Sequence, residues 1–168
     1  MPIRLQDLTR ASVRSTAQVS LEKASANRLR TAFLCHSHSD RVAAIGLATL
    51  LGEAGWDVYI DWQDPFMPAV PNRQTAPNLQ DRIRRAAFFL FLATQNSLGS
   101  RWCPWEIGYA NGVKAIDSIV AVPTRSADGT EHGSEYLQLY RSLDLTSNGT
   151  LAVWQPGMTS GGVLLRNL

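Results

Sequence analysis

Short apolar runs alternate with helical patterns along most of the chain. Four runs bounded by polar or turn-forming residues predict buried strands: 31–36, 56–61, 87–93 and 118–123. Apolar residues that recur every three or four positions predict three intervening helices: 39–55, 78–86 and about 101–115. Because strand and helix alternate, the sequence predicts an α/β fold in which helices cover both faces of a parallel sheet.

Residues with characteristic backbone preferences set the predicted ends of these elements. Ser39 or Asp40 is the expected N-cap of the first helix, and Gly55 is its expected end. Asn78 is the expected N-cap of the second helix. Pro123 is expected to end the fourth strand, since proline has no N–H group to donate to a neighbouring strand.

The segments between and beyond these elements carry weaker patterns. Four prolines between residues 62 and 78 predict a long, stiffened loop, because no helix or central strand tolerates that density. Residues 94–100 are expected to form a second loop. The pattern at 135–145 suits a helix and that at 150–156 an edge strand, whereas 157–168 carry no pattern that we assign.

The composition fits one globular domain of 168 residues, 45% hydrophobic and 18% charged. The net charge of +2 is too small to indicate a nucleic-acid partner, and the excess of basic residues is confined to residues 1–30. We therefore divide the chain into an N-terminal extension, 1–30, and a domain, 31–168. The extension is rich in arginine, serine and alanine, which suits a loose helix or, less well, a transit peptide.

Two features bear on where the protein works. The sequence contains no apolar run of roughly 18 residues, the length that a membrane-spanning helix needs, so no membrane partner is expected. Cys35 and Cys103 are too few and too far apart to indicate a disulfide framework. Reduced thiols are the usual state of cysteine in the cytoplasm, which is the expected location.

The segment HSHSDR is a candidate zinc site. His36, His38 and Asp40 alternate after an apolar strand, as ligands do at the start of some dinuclear zinc sites. Such a site needs further ligands, yet Arg41 follows directly and His132 is the one remaining histidine. The competing interpretation, a polar turn that caps the following helix, is favoured, and no metal is expected.

The stretch SRWCPWEIGYANGVK, residues 100–114, places a carboxylate among aromatic residues. If the helix begins at Cys103 or Pro104, Glu106 lies in its first turn, where the helix dipole favours a carboxylate. If Ser100 is the cap, Trp102 and Glu106 lie one turn apart on the same face. A carboxylate beside an aromatic ring suits a flat cationic ring and a sugar whose glycosidic bond is breaking.

Three segments together resemble the Toll/interleukin-1 receptor (TIR) domain family in its bacterial form. They are FLCHSHSDR (33–41), GWDVYID (55–61) and NSLGSRWCPWEIGYA (96–110), and the resemblance covers about residues 31–123. It implies a flavodoxin-like three-layer sandwich with a central parallel sheet of about five strands. Two features depart from the family pattern: Cys35 stands where serine is usual, and the proline-rich loop lacks the common Pro-Gly turn.

The resemblance implies roles for particular side chains. Glu106 takes the place of the catalytic glutamate, which acts while ionised on the ribose of NAD+ as the nicotinamide bond breaks. NAD+ is then the substrate, and no separate cofactor is required. Asp61 and Trp62 open the loop that gates the site in the family. The residues expected to contact the substrate are His36, Ser37, Asp61, Trp62, Ser97 and Trp102.

The resemblance extends to the signal-producing component of Thoeris-type antiphage defence. It implies an enzyme that releases nicotinamide and an ADP-ribose product, linear or cyclised, from NAD+. It also implies self-association through TIR–TIR contacts and a separate effector protein that senses the product. Two alternatives stay open: an interaction module without catalysis and, more weakly, a zinc-dependent hydrolase that uses the HSHSD segment.

Overall fold

A computed structural model describes residues 1–14, 30–133 and 135–168. Within these residues the strands are β1 (Ile3–Arg4), β2 (Arg30–Cys35), β3 (Trp56–Tyr59), β4 (Phe88–Ala93), β5 (Ile119–Arg125), β6 (Glu131–His132), β7 (Arg141–Leu145), β8 (Leu151–Trp154) and β9 (Val163–Leu164). The α-helices are α1 (Leu5–Ser12), α2 (Arg41–Glu53), α3 (Thr75–Arg85), α4 (Gln95–Leu98) and α5 (Cys103–Val113). Short 3-10 turns connect several of these elements.

The strands form one sheet in the order β3-β2-β4-β5-β7-β8-β9, with β1 and β6 paired to β5. The strands from β3 to β7 in this order pair in parallel, whereas β8 and β9 extend the sheet in antiparallel fashion. The predicted parallel sheet of about five strands is therefore confirmed. Parallel strands end at the same edge of a sheet, so the segments that follow β2, β3 and β4 lie side by side.

Alternate residues of the central strands point into two separate cores. In β2, Leu34 packs in the core on one face of the sheet and Phe33 in the core on the other. Leu47 of α2 joins the first core, and Ile107 of α5 joins the second. The three-layer α/β architecture is thus confirmed, with α1 and α2 on one face and α3 and α5 on the other.

The beginning of the chain packs on the domain, although residues 1–30 were expected to form an extension. Ile3 pairs with Thr124 in β5, and both Ile3 and Leu8 are buried. The strand β5 continues through Pro123 instead of ending there, and its last residues pair with β1 and β6. The expected loose helix or transit peptide otherwise falls on residues 15–29, which lie outside the described residues.

Helix α1 packs against α2 at a glycine. A Cβ atom at Gly46 would lie 1.9 Å from the backbone oxygen of Leu8, so only glycine allows this helix crossing. We expect Gly46→Ala to lower the free energy of unfolding by about 1–3 kcal/mol in urea denaturation. Gly52→Ala is the matched control, because a Cβ there meets no atom within 4 Å, and it should be neutral or mildly stabilising. Equal stabilities of the two variants would contradict this packing.

The proline-rich segment is anchored at both ends. Asp64 accepts hydrogen bonds from the Tyr59 hydroxyl at 2.8 Å and from Arg82 Nε at 3.0 Å. The following helix starts at Thr75, three residues before the predicted start, because its first turn accommodates Pro77. Asn78 is therefore within the helix, where its Nδ2 donates to the Phe66 carbonyl at 3.1 Å, and the prediction that it is the N-cap was wrong.

Three other predictions need correction. Residues 94–100 include the short helix α4 instead of forming only a loop. The predicted helix at 135–145 is a 3-10 turn, Glu135–Leu139, followed by strand β7. The strand predicted at 150–156 exists as β8, but it is not at the edge, because β9 pairs with it. The helix end at Gly55 is confirmed by the positive φ of 85° there, which glycine adopts without strain.

Candidate active site

The candidate site lies where β2 and β3 end and helix α5 begins. His36 directly follows β2, and its ring Nε2 lies 3.5 Å from a carboxylate oxygen of Asp61, which follows β3. The Trp62 ring meets the His36 ring edge to face, with 4.4 Å between ring centroids. Glu106 lies in the first turn of α5, close enough for the Asp61 charge to affect its pKa. These four side chains share one edge of the sheet.

Ser100 caps helix α5, although the helix begins at Cys103. The Ser100 hydroxyl accepts hydrogen bonds from the backbone N–H of Trp102 at 3.1 Å and of Cys103 at 3.3 Å. The backbone N–H of Glu106 donates to the Trp102 carbonyl at 2.8 Å. Since Ser100 satisfies the first amides of the helix, the Glu106 side chain is not needed for capping them.

The carboxyl group of Glu106 is buried, and the residue is only 6% exposed. Burial raises its pKa to about 8, with smaller contributions in the same direction from Cys103 and Asp61 and an opposing hydrogen bond with Cys35. Without substrate, most of this carboxyl group is therefore protonated at pH 7. This differs from the ionised state expected from the resemblance, and its cause is the packing around the first turn of α5.

Two thiols lie beside Glu106 in the interior. Cys35 Sγ is 3.9 Å from the carbonyl oxygen of Cys103, and both cysteines are fully buried. Burial raises the pKa of Cys35, whereas the hydrogen bond with Cys35 lowers the pKa of Cys103. Because a thiol is a weaker hydrogen-bond donor than a hydroxyl, Cys35 stabilises an ionised Glu106 less than serine would.

His36 presents an unused hydrogen-bond acceptor toward the site. Its Nδ1 donates to the Leu34 carbonyl at 2.9 Å, which fixes the proton on that nitrogen. Burial lowers the pKa of His36, so the ring is neutral and Nε2 carries a lone pair. Among the described residues, Nε2 has no hydrogen-bond partner, although it is buried. A buried acceptor of this kind can receive a hydrogen bond from a ligand hydroxyl.

Asp61 is fixed by the turn that it begins. One carboxylate oxygen accepts from the backbone N–H of Trp62 at 2.8 Å, and the other lies 3.1 Å from His38 Nε2. The 3-10 turn Asp61–Gln63 therefore holds a carboxylate and an aromatic ring in a fixed relation to His36.

The comparison with known proteins agrees with this arrangement. The family model described as the TIR domain matches residues 32–153. This chain belongs to the TIR domain family. A Bacillus cereus (strain MSX-D12) protein named "Probable 3' cyclic ADP-D-ribose synthase ThsB'" is 34% identical over 116 residues. The alignment covers 68% of this chain and 60% of that relative, so the chain matches less than two thirds of the relative's length.

Two of the expected substrate contacts have other surroundings in this TIR domain. The hydroxyl of Ser37 accepts from the backbone N–H of Ser39 at 3.3 Å and caps the 3-10 turn His38–Asp40. Ser97 is fully buried, and its hydroxyl forms a capping box with Thr94. These bonds account for the burial of Ser97 without a ligand.

Trp102 remains available on the outer side of α5. The side chain is 37% exposed, and its ring meets that of Trp105 edge to face at 5.5 Å between centroids. Trp105 in turn stacks on Tyr109 at 5.9 Å. Trp102 lies four residues before Glu106, but its ring is exposed whereas Glu106 is buried, so the shared wall of the cleft stays a prediction.

The TIR domain does not gather its histidines and Asp40 into a metal site. Asp40 accepts a hydrogen bond from the Thr94 hydroxyl at 2.5 Å and another from Asn96 Nδ2 at 2.7 Å, whereas His36 and His38 face Asp61. In the described ranges, no group of three or more His, Cys, Asp and Glu side chains could hold a metal ion. The zinc hypothesis therefore has no support in this geometry.

Asp40 is the N-cap residue of α2, one of the two residues predicted for that position, but its side chain makes no capping hydrogen bond. Its bonds to Thr94 and Asn96 tie the start of α2 to the segment after β4, a link that no local pattern reveals.

In the parts of the chain that the structure covers, none of the helices has the length and apolar character needed to cross a membrane.

Proposed function

We propose that this TIR domain cleaves the bond between nicotinamide and ribose in NAD+. The observation that carries the proposal is the buried carboxyl group of Glu106 at the same sheet edge as the unpartnered Nε2 of His36 and the carboxylate of Asp61. The name of the Bacillus cereus relative, a probable cyclic ADP-ribose synthase, supports the same substrate.

The chemistry depends on charge at the sugar. As the glycosidic bond lengthens, positive charge develops at the anomeric carbon, and an adjacent carboxylate stabilises it. Because Glu106 is buried, water screens this attraction less than it would at the surface. The nicotinamide ring of NAD+ is cationic, so its arrival beside Glu106 lowers the pKa of the carboxyl group and favours ionisation.

The other side chains of the site orient the substrate. His36 Nε2 accepts a hydrogen bond from a ribose hydroxyl, and Asp61 supplies a second acceptor nearby. The rings of Trp62 and Trp102 offer flat surfaces for the substrate's aromatic groups. Ser37 contributes its backbone and turn, since its hydroxyl is engaged in capping.

The fate of the ADP-ribosyl group sets the product. Attack by water gives linear ADP-ribose, and attack by a group of the same ADP-ribosyl unit gives a cyclic product; each route releases nicotinamide and a proton. We propose a cyclic signal, by similarity to the named relative. NAD+ is the substrate, and the reaction requires neither a metal nor another cofactor.

The proposal includes a setting in Thoeris-type antiphage defence in the cytoplasm, where NAD+ is available and the two free thiols are stable. A separate effector protein senses the product. Self-association through TIR–TIR contacts involves the proline-rich segment, in which Phe66 and Val70 are strongly exposed.

The decisive experiment is incubation of the purified protein with NAD+. Chromatography follows nicotinamide release, and mass spectrometry identifies the product, because a cyclic product is lighter than linear ADP-ribose by one water. We expect nicotinamide and a product with the cyclic mass. Absence of nicotinamide, even at protein concentrations and crowding that produce oligomers, would favour the interaction module without catalysis.

A further inference from the structure

Arg41 lies beside the candidate site but has no part in the proposed cleavage of the glycosidic bond. It is the first residue of α2, and its guanidinium carbon lies 5.1 Å from the centroid of the Trp62 ring. The Trp62 ring in turn contacts His36, with 4.4 Å between centroids. The guanidinium group is therefore no farther from the His36 ring than the sum of these two distances.

The charge of Arg41 is not matched by an anion in the described part of the chain. None of the ion pairs among the described residues includes Arg41. Asp40 and Asp61, the carboxylates next in sequence to Arg41 and Trp62, have other partners, since Asp61 faces the histidines and Asp40 accepts from Thr94 and Asn96.

The position of Arg41 in the helix makes its charge less favourable still. Positive charge accumulates at a helix N-terminus, where acidic residues are stabilising. The N-cap residue Asp40 is acidic, but its carboxylate bonds to Thr94 and Asn96, and the first turn of α2 contains no acidic residue. A bound anion would offset both the arginine and the helix dipole. The buried Nε2 of His36, beside the same Trp62 ring, has no hydrogen-bond partner among the described residues and can accept a hydrogen bond from a ligand at this edge.

We propose that Arg41, held against the face of Trp62, binds the diphosphate of the substrate. This inference rests on the proposed function, because NAD+ carries a diphosphate next to the ribose that Glu106 and His36 would contact. Stacking on an aromatic ring leaves the edge of a guanidinium group free, and that edge can bind phosphate oxygens in bidentate fashion. Arg41 thereby selects dinucleotides over nucleosides that lack phosphate.

Steady-state kinetics with two substrates test the assignment. We expect Arg41→Ala to raise KM for NAD+ at least tenfold while kcat changes less than threefold, because charge-assisted bonds to phosphate are lost. Cleavage of nicotinamide riboside, which has no phosphate, should be the same in both proteins. Arg41→Lys should be intermediate, since it keeps the charge but not the planar fork. Arg84→Ala, which removes an exposed arginine of α3, is the matched control and should resemble the wild type.

Calorimetric titration with ADP-ribose separates this inference from the proposed function. We expect Arg41→Ala to bind ADP-ribose at least tenfold more weakly than the wild type. The wild type could bind ADP-ribose at least tenfold more tightly than Arg41→Ala and yet cleave no NAD+. In that case the phosphate-binding role of Arg41 would stand and the proposed function would fail.

Two results would overturn the role of Arg41. One is an Arg41→Ala variant with wild-type affinity for ADP-ribose. The other is an equal loss of activity on NAD+ and on nicotinamide riboside, which would indicate that the substitution acts on the fold of the site and not on phosphate binding.

Discussion

Glu106→Gln should lower the rate of nicotinamide release from NAD+ by at least a hundredfold. Glutamine has nearly the same shape as glutamic acid and retains hydrogen bonding, but it cannot carry the negative charge that stabilises the developing cation on the ribose. Loss of one well-placed electrostatic group typically costs about 10²- to 10³-fold in rate. Nicotinamide release at saturating NAD+ measures the effect directly.

The control for this variant is the same chemical change at an exposed position. Glu135 is exposed at the start of the 3-10 turn before β7, and Glu135→Gln should retain wild-type turnover. Circular dichroism and thermal unfolding should show that Glu106→Gln remains folded, since its amide occupies the volume of the original carboxyl group. Turnover within a few-fold of the wild type in a folded Glu106→Gln variant would remove the carboxyl group from the mechanism.

The central fold could be predicted because buried parallel strands are continuous apolar runs. Phe88–Ala93 is apolar on both faces and therefore recognisable without any knowledge of its neighbours. The two-residue strands Ile3–Arg4 and Val163–Leu164 could not be predicted, because two residues carry no periodicity. Their pairing depends on the partner strands that the rest of the fold brings to them.

The site could be predicted only in part, for a similar reason. Glu106 was recognisable as a carboxylate among aromatic residues, which is an unusual place for a charge. The protonated state of Glu106 was not recognisable from the sequence, because its pKa depends on burial by segments distant in the sequence. The bonds of Asp40 to Thr94 and Asn96 join residues more than fifty positions apart, so local patterns indicated Asp40 as a helix cap but could not indicate these bonds.

The pKa of Glu106 has a consequence for stability that can be measured without substrate. The pKa is about 8 in the folded protein, compared with an ordinary value of 4.5. Between these two values the unfolded chain loses the proton while the folded protein keeps it, so the free energy of unfolding falls as pH rises. The contribution of the protonated group is complete below pH 4.5 and is lost once the pH has passed about 8.

Glu106→Gln should therefore become progressively more stable than the wild type as pH rises. The raised pKa of Glu106 predicts how the difference in unfolding free energy between Glu106→Gln and the wild type depends on pH. From about pH 5 to about pH 8.5, this difference should change by an amount on the order of 3–4 kcal/mol. Urea denaturation of both proteins at the two pH values measures it. Comparing the variants cancels the titration of retained groups whose pKa does not depend on Glu106, such as His36.

The exposed control distinguishes burial from a general effect of charge. Glu135→Gln should differ from the wild type by the same small amount at both pH values, because its carboxyl group is in water in both folded and unfolded states. A stability difference between Glu106→Gln and the wild type that does not change with pH would show that Glu106 is already ionised in the folded protein. The carboxylate would then not need the cationic nicotinamide ring to ionise it, and that step of the proposed mechanism would have to be abandoned.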